Sequence, residues 1–435
     1  MDIWEKITSL AKRRGFVYPG SEIYGGLAGT WDYGPLGVEL KRNLKNEYWK
    51  EMVQNRDNLV GIDAAIIMNP AVWKASGHLD AFSDPLVECK KCRHRFRADQ
   101  LTDQKKCPDC GGELSEPKQF NLMVETYLGV IEGEKMKTYL RGEITQGVHV
   151  NFKNVLDSTR VKLPFGVVQV GKAFRNEITP GGFTFRSREF EQMENQFYVK
   201  PDEEESMKWF EYWKGERMKW YISLGMHPEN LRFKEHGKDE LAHYARAAFD
   251  IEYSVEGEWK EMEGIHHRGD WDVRRHSEGS GKDLTYFDEE TKERYLPWII
   301  ETSGGVDRAT LFFLMDAYRE EEVKEGDTRI VLKLHPRLAP YKVAVFPLLA
   351  NKPDLVAKAE EITKDLKQSW MVAYDGRGNI GKRYRAQDEA GTPFCVTVDF
   401  ETLEKGDVTV RDRDTMEQVR IPVSELKGYL AGKLS

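Results

Sequence analysis

Missing from this chain are the features that would send it into a membrane or leave it unfolded. Nowhere do eighteen uncharged apolar residues run together, so no spanning helix is expected. The opening stretch, MDIWEKITSLAKRRGF, is amphipathic and charged instead of a basic stub leading into an apolar run, which predicts no secretory leader. Low-complexity tracts are absent, and 40% hydrophobic residues are enough to build cores. Cysteine is scarce: five among 435 residues, four of them in Cys-x-x-Cys pairs. That usage suits a metal clip in a reducing compartment better than a disulfide framework, and predicts the cytoplasm. An excess of positive charge is missing too. A net charge of −8 argues against nonspecific coating of nucleic acid, yet local basic surfaces on an acidic protein still steer one RNA.

The length predicts two or three domains. A glycine-rich loop, Tyr24 to Gly37, precedes a helical pattern from about Val38 to Gln54. NLVGIDAAIIMNP then reads as a buried strand stopped by Pro70. Short strands follow in VHVNF, GVVQVGKAFRNEI, FTFRSREFEQMENQFYV, DIEYSV, WKEMEGIHH and PWIIETS, a density that predicts an antiparallel sheet. Between them, PDEEESMKWFEYWKGERMKWYISLG reads as a helix with acidic residues in its first turn and Gly225 at its end. From Leu338 the pattern becomes strand-helix alternation, predicting a separate α/β domain.

Two segments carry chemistry. The first, GVVQVGKAFRNEITPGGFTFRSREFEQMENQFYV, reads as two strands joined near Pro180. Alternation would set Arg186, Arg188, Phe190, Gln192 and Glu194 on one face, with Arg175 and Glu177 beside them on the partner strand. Such a face is cationic, then aromatic, then acidic. It reads either as an exposed ladder of ion pairs or, given the apolar GVVQV run, as the lining of a cleft. The second, YLPWIIETSGGVDRATLFFLMDAYRE, reads as an apolar strand with Glu301 and Ser303 on one face, two glycines, and a helix from about Val306 with Arg308 in its first turn. A helix N-terminus with an arginine suits a polyphosphate; an ordinary strand-to-helix turn is the alternative.

Four cysteines are spaced Cys89-x2-Cys92-x14-Cys107-x2-Cys110, the pattern of a zinc ribbon with a closed, structural site. Cys395, inside FCVTVDF, reads as a small buried hydrophobe. Gly376-x-Gly378-x-x-Gly381 and Gly279-Ser280-Gly281-Lys282 imitate nucleotide-binding loops, but the first runs into a basic stretch and the second has Asp283 where Ser or Thr is required. EWKEMEGIHHRGDWDVRRH would put Glu261 and Glu263 on one strand face with Arg268 beyond, and His266 and His267 on opposite faces.

Together the two segments resemble the second and third signature motifs of class II aminoacyl-tRNA synthetases, and the helix, strand and Pro70 resemble the first. The resemblance narrows to the glycyl-tRNA synthetase family through YGGLAGTWDYGPLG, HVNFKNVL, AFRNEITP, REFEQME and IGKRYRAQDEAGTPFCVTVDF, and covers nearly the whole chain. It implies an α+β fold: a class II antiparallel sheet with flanking helices over 1–337, a zinc-ribbon-like insertion over 86–118, a helical insertion over 200–248, and an α/β anticodon-binding domain over 338–435. It implies that Arg175 and Arg308 are catalytic, Arg175 at the α-phosphate of ATP; that Glu177 takes the adenine amine; that Phe190 and Arg308 sandwich the ring; and that Arg186 meets the outer phosphates. Glu143, Glu194, Glu301 and Ser303 would form the glycine pocket, Glu301 also bordering ATP. Mg2+, a structural Zn2+, tRNA(Gly) and a second copy of the chain are the further partners implied. One departure stands out: the family's Arg-Pro-Glu-Thr-Ala-Gln-Gly is here Arg141-Gly142-Glu143-Ile144-Thr145-Gln146-Gly147. Two rivals are a class II synthetase for another small amino acid or proline, and an accessory RNA-binding protein without catalysis.

Overall fold

A computed structural model describes residues 2–434 apart from 132, 238–240 and 242–244. Part of the expected 200–248 insertion, at 238–240 and 242–244, therefore lies outside the described residues. The architecture is α+β. Seven strands build the central sheet: β1 (Leu59–Gly61), β2 (Phe165–Phe174), β3 (Glu189–Val199), β4 (Leu231–Glu235), β5 (Ala247–Val255), β6 (Glu258–Gly269) and β7 (Trp298–Gly305). Their order is β4-β5-β6-β7-β3-β2-β1, antiparallel except for the β1–β2 edge.

Strand alternation divides the sheet into a dry face and a wet one. Val168, Met193, Phe197, Ile265 and Ile300 point into the largest core, under the helices Pro35–Trp49, Glu203–Ser223 and Val306–Ala317. On the other face Phe165, Val167, Tyr198 and Ile299 close a second core against the helix Phe152–Thr159. The rest of that face carries Gln192, Glu194, Gln196, Glu301 and Ser303, polar side chains that the short helix Thr145–His149 covers only in part, its Thr145 hydroxyl donating to Glu194 and Glu301.

Three local readings differ from the structure. VHVNF is helical, split between Thr145–His149 and Phe152–Thr159; Phe152 and Val155 are buried at i, i+3 spacing, and so short an apolar run does not separate strand from helix. The strand before Pro70 is only Leu59–Gly61, and Pro70 opens a helix at its first position, capped by the Asn69 side chain. The helix expected over Val38–Gln54 begins at Pro35, and its last turn, Lys50–Gln54, is a π-helix. By contrast, Glu203–Ser223 is the expected helix, with the Asp202 carboxylate accepting the Glu205 N–H and Gly225 past its end at φ 93°.

The C-terminal part has its own core and a five-stranded mixed sheet built from Val343–Pro347, Val372–Tyr374, Phe394–Val398, Asp407–Asp412 and Gln418–Pro422. Cys395 is buried there, and burial pushes its thiol up to about 12. The two parts are tied by a buried ion cluster. Arg329 and Arg411 both donate to Asp388 within it, at 3.2 and 2.8 Å, and nearer the surface Arg13 and Arg14 of the first helix both donate to Glu389. The connecting segment is also fastened. Lys342 donates to the carbonyls of Pro336, Arg337 and Ala339, and Asn43 donates to those of Leu338 and Ala339. Removing one member of a buried charge cluster strands the others without a counter-ion. Asp388→Asn is therefore expected to destabilise the chain by about 3 kcal/mol, read as a lowered calorimetric transition.

Candidate active site

The partly covered face of the sheet opens into a cleft of about 440 Å³. Arg175, Glu177, Arg186, Phe190, Arg308, Glu143, Glu194, Glu301 and Ser303 all line it, so the two segments singled out in the sequence meet there. The register explains why. Glu194 stands opposite Ser303 and Gln196 opposite Glu301 on β3 and β7, while His266 of β6 stands opposite Glu301. Side chains from three strands therefore converge on one spot.

At the closed end sit more carboxylates than cations. Ser303 and Thr145 hydroxyls donate to Glu194, both at 2.7 Å, and the Gln192 amide adds a bond at 3.0 Å. Burial raises the Glu194 carboxyl, and the charges of Glu301 and Glu143 raise it further. Glu301 goes the other way: burial opposes its ionisation, but Arg268 at 3.1 Å and His266 at 3.0 Å hold it well below the carboxylate range. Glu143 is lowered to about 2, burial being outweighed by His78 at 3.3 Å, with Gln146 donating at 2.9 Å. Arg268 is itself gripped by Asp272, so the pocket's one buried guanidinium is fixed by two acids. Gly264 leaves room for the His266 ring, because a Cβ there would come within 2.6 Å of it.

At the open end the groups are cationic and aromatic. The Arg175 guanidinium lies between Phe82 and Phe190, at 5.1 and 5.2 Å from their centroids, and its Nε donates to the Gly142 carbonyl at 3.1 Å. A Cβ on Gly142 would reach Phe82 at 2.9 Å, so the glycine in the departing Arg141–Gly147 segment leaves space for that ring. Arg308 lies over Phe185 at 4.4 Å and pairs with Glu261 at 3.0 Å. Glu177 is mostly buried, its Oε2 has no protein partner, and burial raises its carboxyl. Lys41 bridges Glu191 and Asp307 beneath the rim, and Asp307 accepts the Glu191 N–H.

Some expectations fail in detail. Arg188 does not join the cleft; β3 begins only at Glu189, and Arg188 turns to the carbonyls of Ala28 and Glu177. Glu261 and Glu263 do not share a face. A bulge in β6 opposite Ile251 and Glu252 turns Glu261 to the cleft, whereas Glu263 faces the core and is bound by Arg217 and Tyr221. His266 and His267 do diverge, His267 meeting Ser206. Sequence reasoning missed Phe185, although it lies within the hairpin segment, and also Thr145, Phe82, Asp84 and Arg97, which come from other elements and carry no local signal.

Beside the cleft, Cys89, Cys92, Cys107 and Cys110 bring their sulfurs within 4.8 Å of one another. Two of the Sγ···Sγ distances are 3.5 and 3.6 Å, close to the ~3.8 Å edge of a tetrahedral zinc-thiolate site. The Cys92 N–H points at the Cys89 sulfur, and four thiolates leave no open position, so the donor set fits a structural zinc. Among the described residues no helix is long and apolar enough to cross a membrane.

Residues 342–433 match the family described as anticodon binding domain. The chain is 53% identical to the glycine–tRNA ligase of Geobacillus thermodenitrificans (strain NG80-2), covering 99% of this chain and 97% of that protein. It is 54% identical to the glycine–tRNA ligase of Treponema denticola, covering 97% and 95%, and 53% identical to that of Borreliella burgdorferi, covering 98% and 96%.

A carboxyl raised in the folded state contributes stability that is present below its unfolded pKa and lost as pH climbs through the folded one. Glu194 is such a group. Glu194→Gln is expected to flatten the fall in unfolding midpoint between the ordinary carboxylate range and neutral pH, as followed by urea denaturation at a series of pH values.

Proposed function

This chain belongs to the glycine–tRNA ligase family, and on that premise we propose that it activates glycine with ATP and passes the glycyl group to tRNA(Gly). The observation that carries the reading is the meeting, in one cleft, of Arg175, Arg186 and Arg308 with the carboxylates Glu194 and Glu301. A polyphosphate needs the first set and an amino acid's ammonium the second.

In this reading the glycine carboxylate attacks the α-phosphorus of ATP, pyrophosphate leaves, and a tRNA ribose hydroxyl then takes the glycyl group with release of AMP. Arg175 grips the α-phosphate, Arg186 the outer phosphates, and Phe190 and Arg308 enclose the adenine. The unpartnered Glu177 oxygen accepts the adenine amine, which would satisfy a buried acceptor. Magnesium would come with the nucleotide and neutralise polyphosphate charge; Glu261, on the cleft side of β6, is a hard oxygen donor suited to it. Catalysis is then positioning plus electrostatics, with no covalent nucleophile. Glu143, Glu194, Glu301 and Ser303 hold the ammonium, and rejection of a methyl group rests on steric exclusion at that end of the cleft. We assign 1–337, with the ribbon at 86–118 and the 200–248 insertion, to the catalytic domain and 338–435 to the anticodon-binding domain, in a cytoplasmic homodimer.

ATP–pyrophosphate exchange tests the reading. Glycine is expected to support it and alanine, serine and proline are not; exchange without amino-acid preference, or none, sinks it. Arg175→Ala is expected to abolish exchange while the circular dichroism spectrum stays unchanged. A glycine ammonium beside Glu194 replaces the proton that burial keeps there. Glycine binding near neutral pH should thus release protons, seen as a calorimetric heat that scales with the buffer's ionisation enthalpy, and should tighten as pH rises.

A further inference from the structure

The cysteine knuckle reaches into the cleft. Its strand Arg95–Arg97 pairs with Ser83–Glu88, and alternation turns Phe96 into the small core around the cysteines while Arg97 faces the cleft. The next turn, Ala98–Gln100, repeats the division: Ala98 is buried in that core, Leu101 packs against it, and Gln100 points outward. The Gln100 side-chain oxygen accepts Arg186 Nη1 at 2.9 Å. Arg97 pairs with Asp84 at 2.6 Å and with Asp99 at 2.7 Å, compensating an acid that would otherwise face Arg175 and Arg186. Immediately before the paired strand Ser83–Glu88, Phe82 presents its ring to the Arg175 guanidinium.

We propose that the knuckle is part of the ATP site: Gln100 is a positioning residue that holds Arg186 toward the outer phosphates, and the metal held by the four cysteines fixes Gln100. The inference rests on the functional reading above. Its physical basis is that Arg186 leaves the hairpin loop before β3 begins, so its long side chain has no sheet to orient it. A single acceptor on a rigid neighbour restricts its rotamers before the nucleotide arrives.

Gln100→Ala is the test, since Gln100 is exposed and its loss leaves the knuckle core intact. The KM for ATP in pyrophosphate exchange is expected to rise roughly threefold to tenfold with the KM for glycine unchanged. Titration calorimetry with ATP should show the same loss, zinc content by mass spectrometry should stay at that of the unsubstituted chain, and the effect should vanish in an Arg186→Ala background. Chelation of the metal should weaken ATP binding in the same calorimetric experiment. Unchanged ATP affinity in Gln100→Ala, or full additivity with Arg186→Ala, overturns the role of Gln100; unchanged affinity after metal removal overturns the link to the knuckle. If the unsubstituted chain shows no glycine-dependent exchange, the functional reading fails, while the ATP titration still decides the part played by Gln100.

Discussion

Burying carboxylates against too few cations is the constraint on which the rest of this structure depends. Glu143, Glu194 and Glu301 share an enclosed end of the cleft with one buried guanidinium, Arg268. Charge that cannot be neutralised must be shared by hydrogen bonds or quenched by a proton, and the pocket does both. Glu301 takes the arginine and a histidine, Glu143 takes His78 and Gln146, and Glu194 is left with hydroxyls and amides. The imbalance leaves a deficit of positive charge where a small ammonium fits.

That arrangement needs a sheet that holds its register. Glu194 meets Ser303, and Gln196 meets Glu301, only because β3 and β7 pair over eight positions without a slip. The dry face supplies the grip: Met193, Phe197 and Ile300 lie under two helices, so a shift by one residue would expose them and bury the acids among them. Core packing on one side and polar convergence on the other are two consequences of one alternation.

Much of this was legible in the sequence where the signal is local. The strand and helix around Ser303 and Arg308, the hairpin from Phe165 to Val199 and the cysteine spacing are written in short, ordered patterns. What could not be read is what depends on partners far away in the chain. The bulge in β6 that parts Glu261 from Glu263 answers to β5, and the ring of Phe82 on Arg175 answers to Gly142. HVNF misled because four residues fit either period, and Pro70 because the same residue ends a strand or begins a helix.

The segment from His335 to Lys342 is short and nailed down, with Lys342 spending its ammonium on three carbonyls of its own bend and Asn43, from the long helix near the cleft, holding one of these, that of Ala339, together with the carbonyl of Leu338. A joint fastened in this way has no slack to give. A long, L-shaped ligand that must touch the cleft and the C-terminal sheet at once would find the spacing between them already set, and would have to do the bending itself.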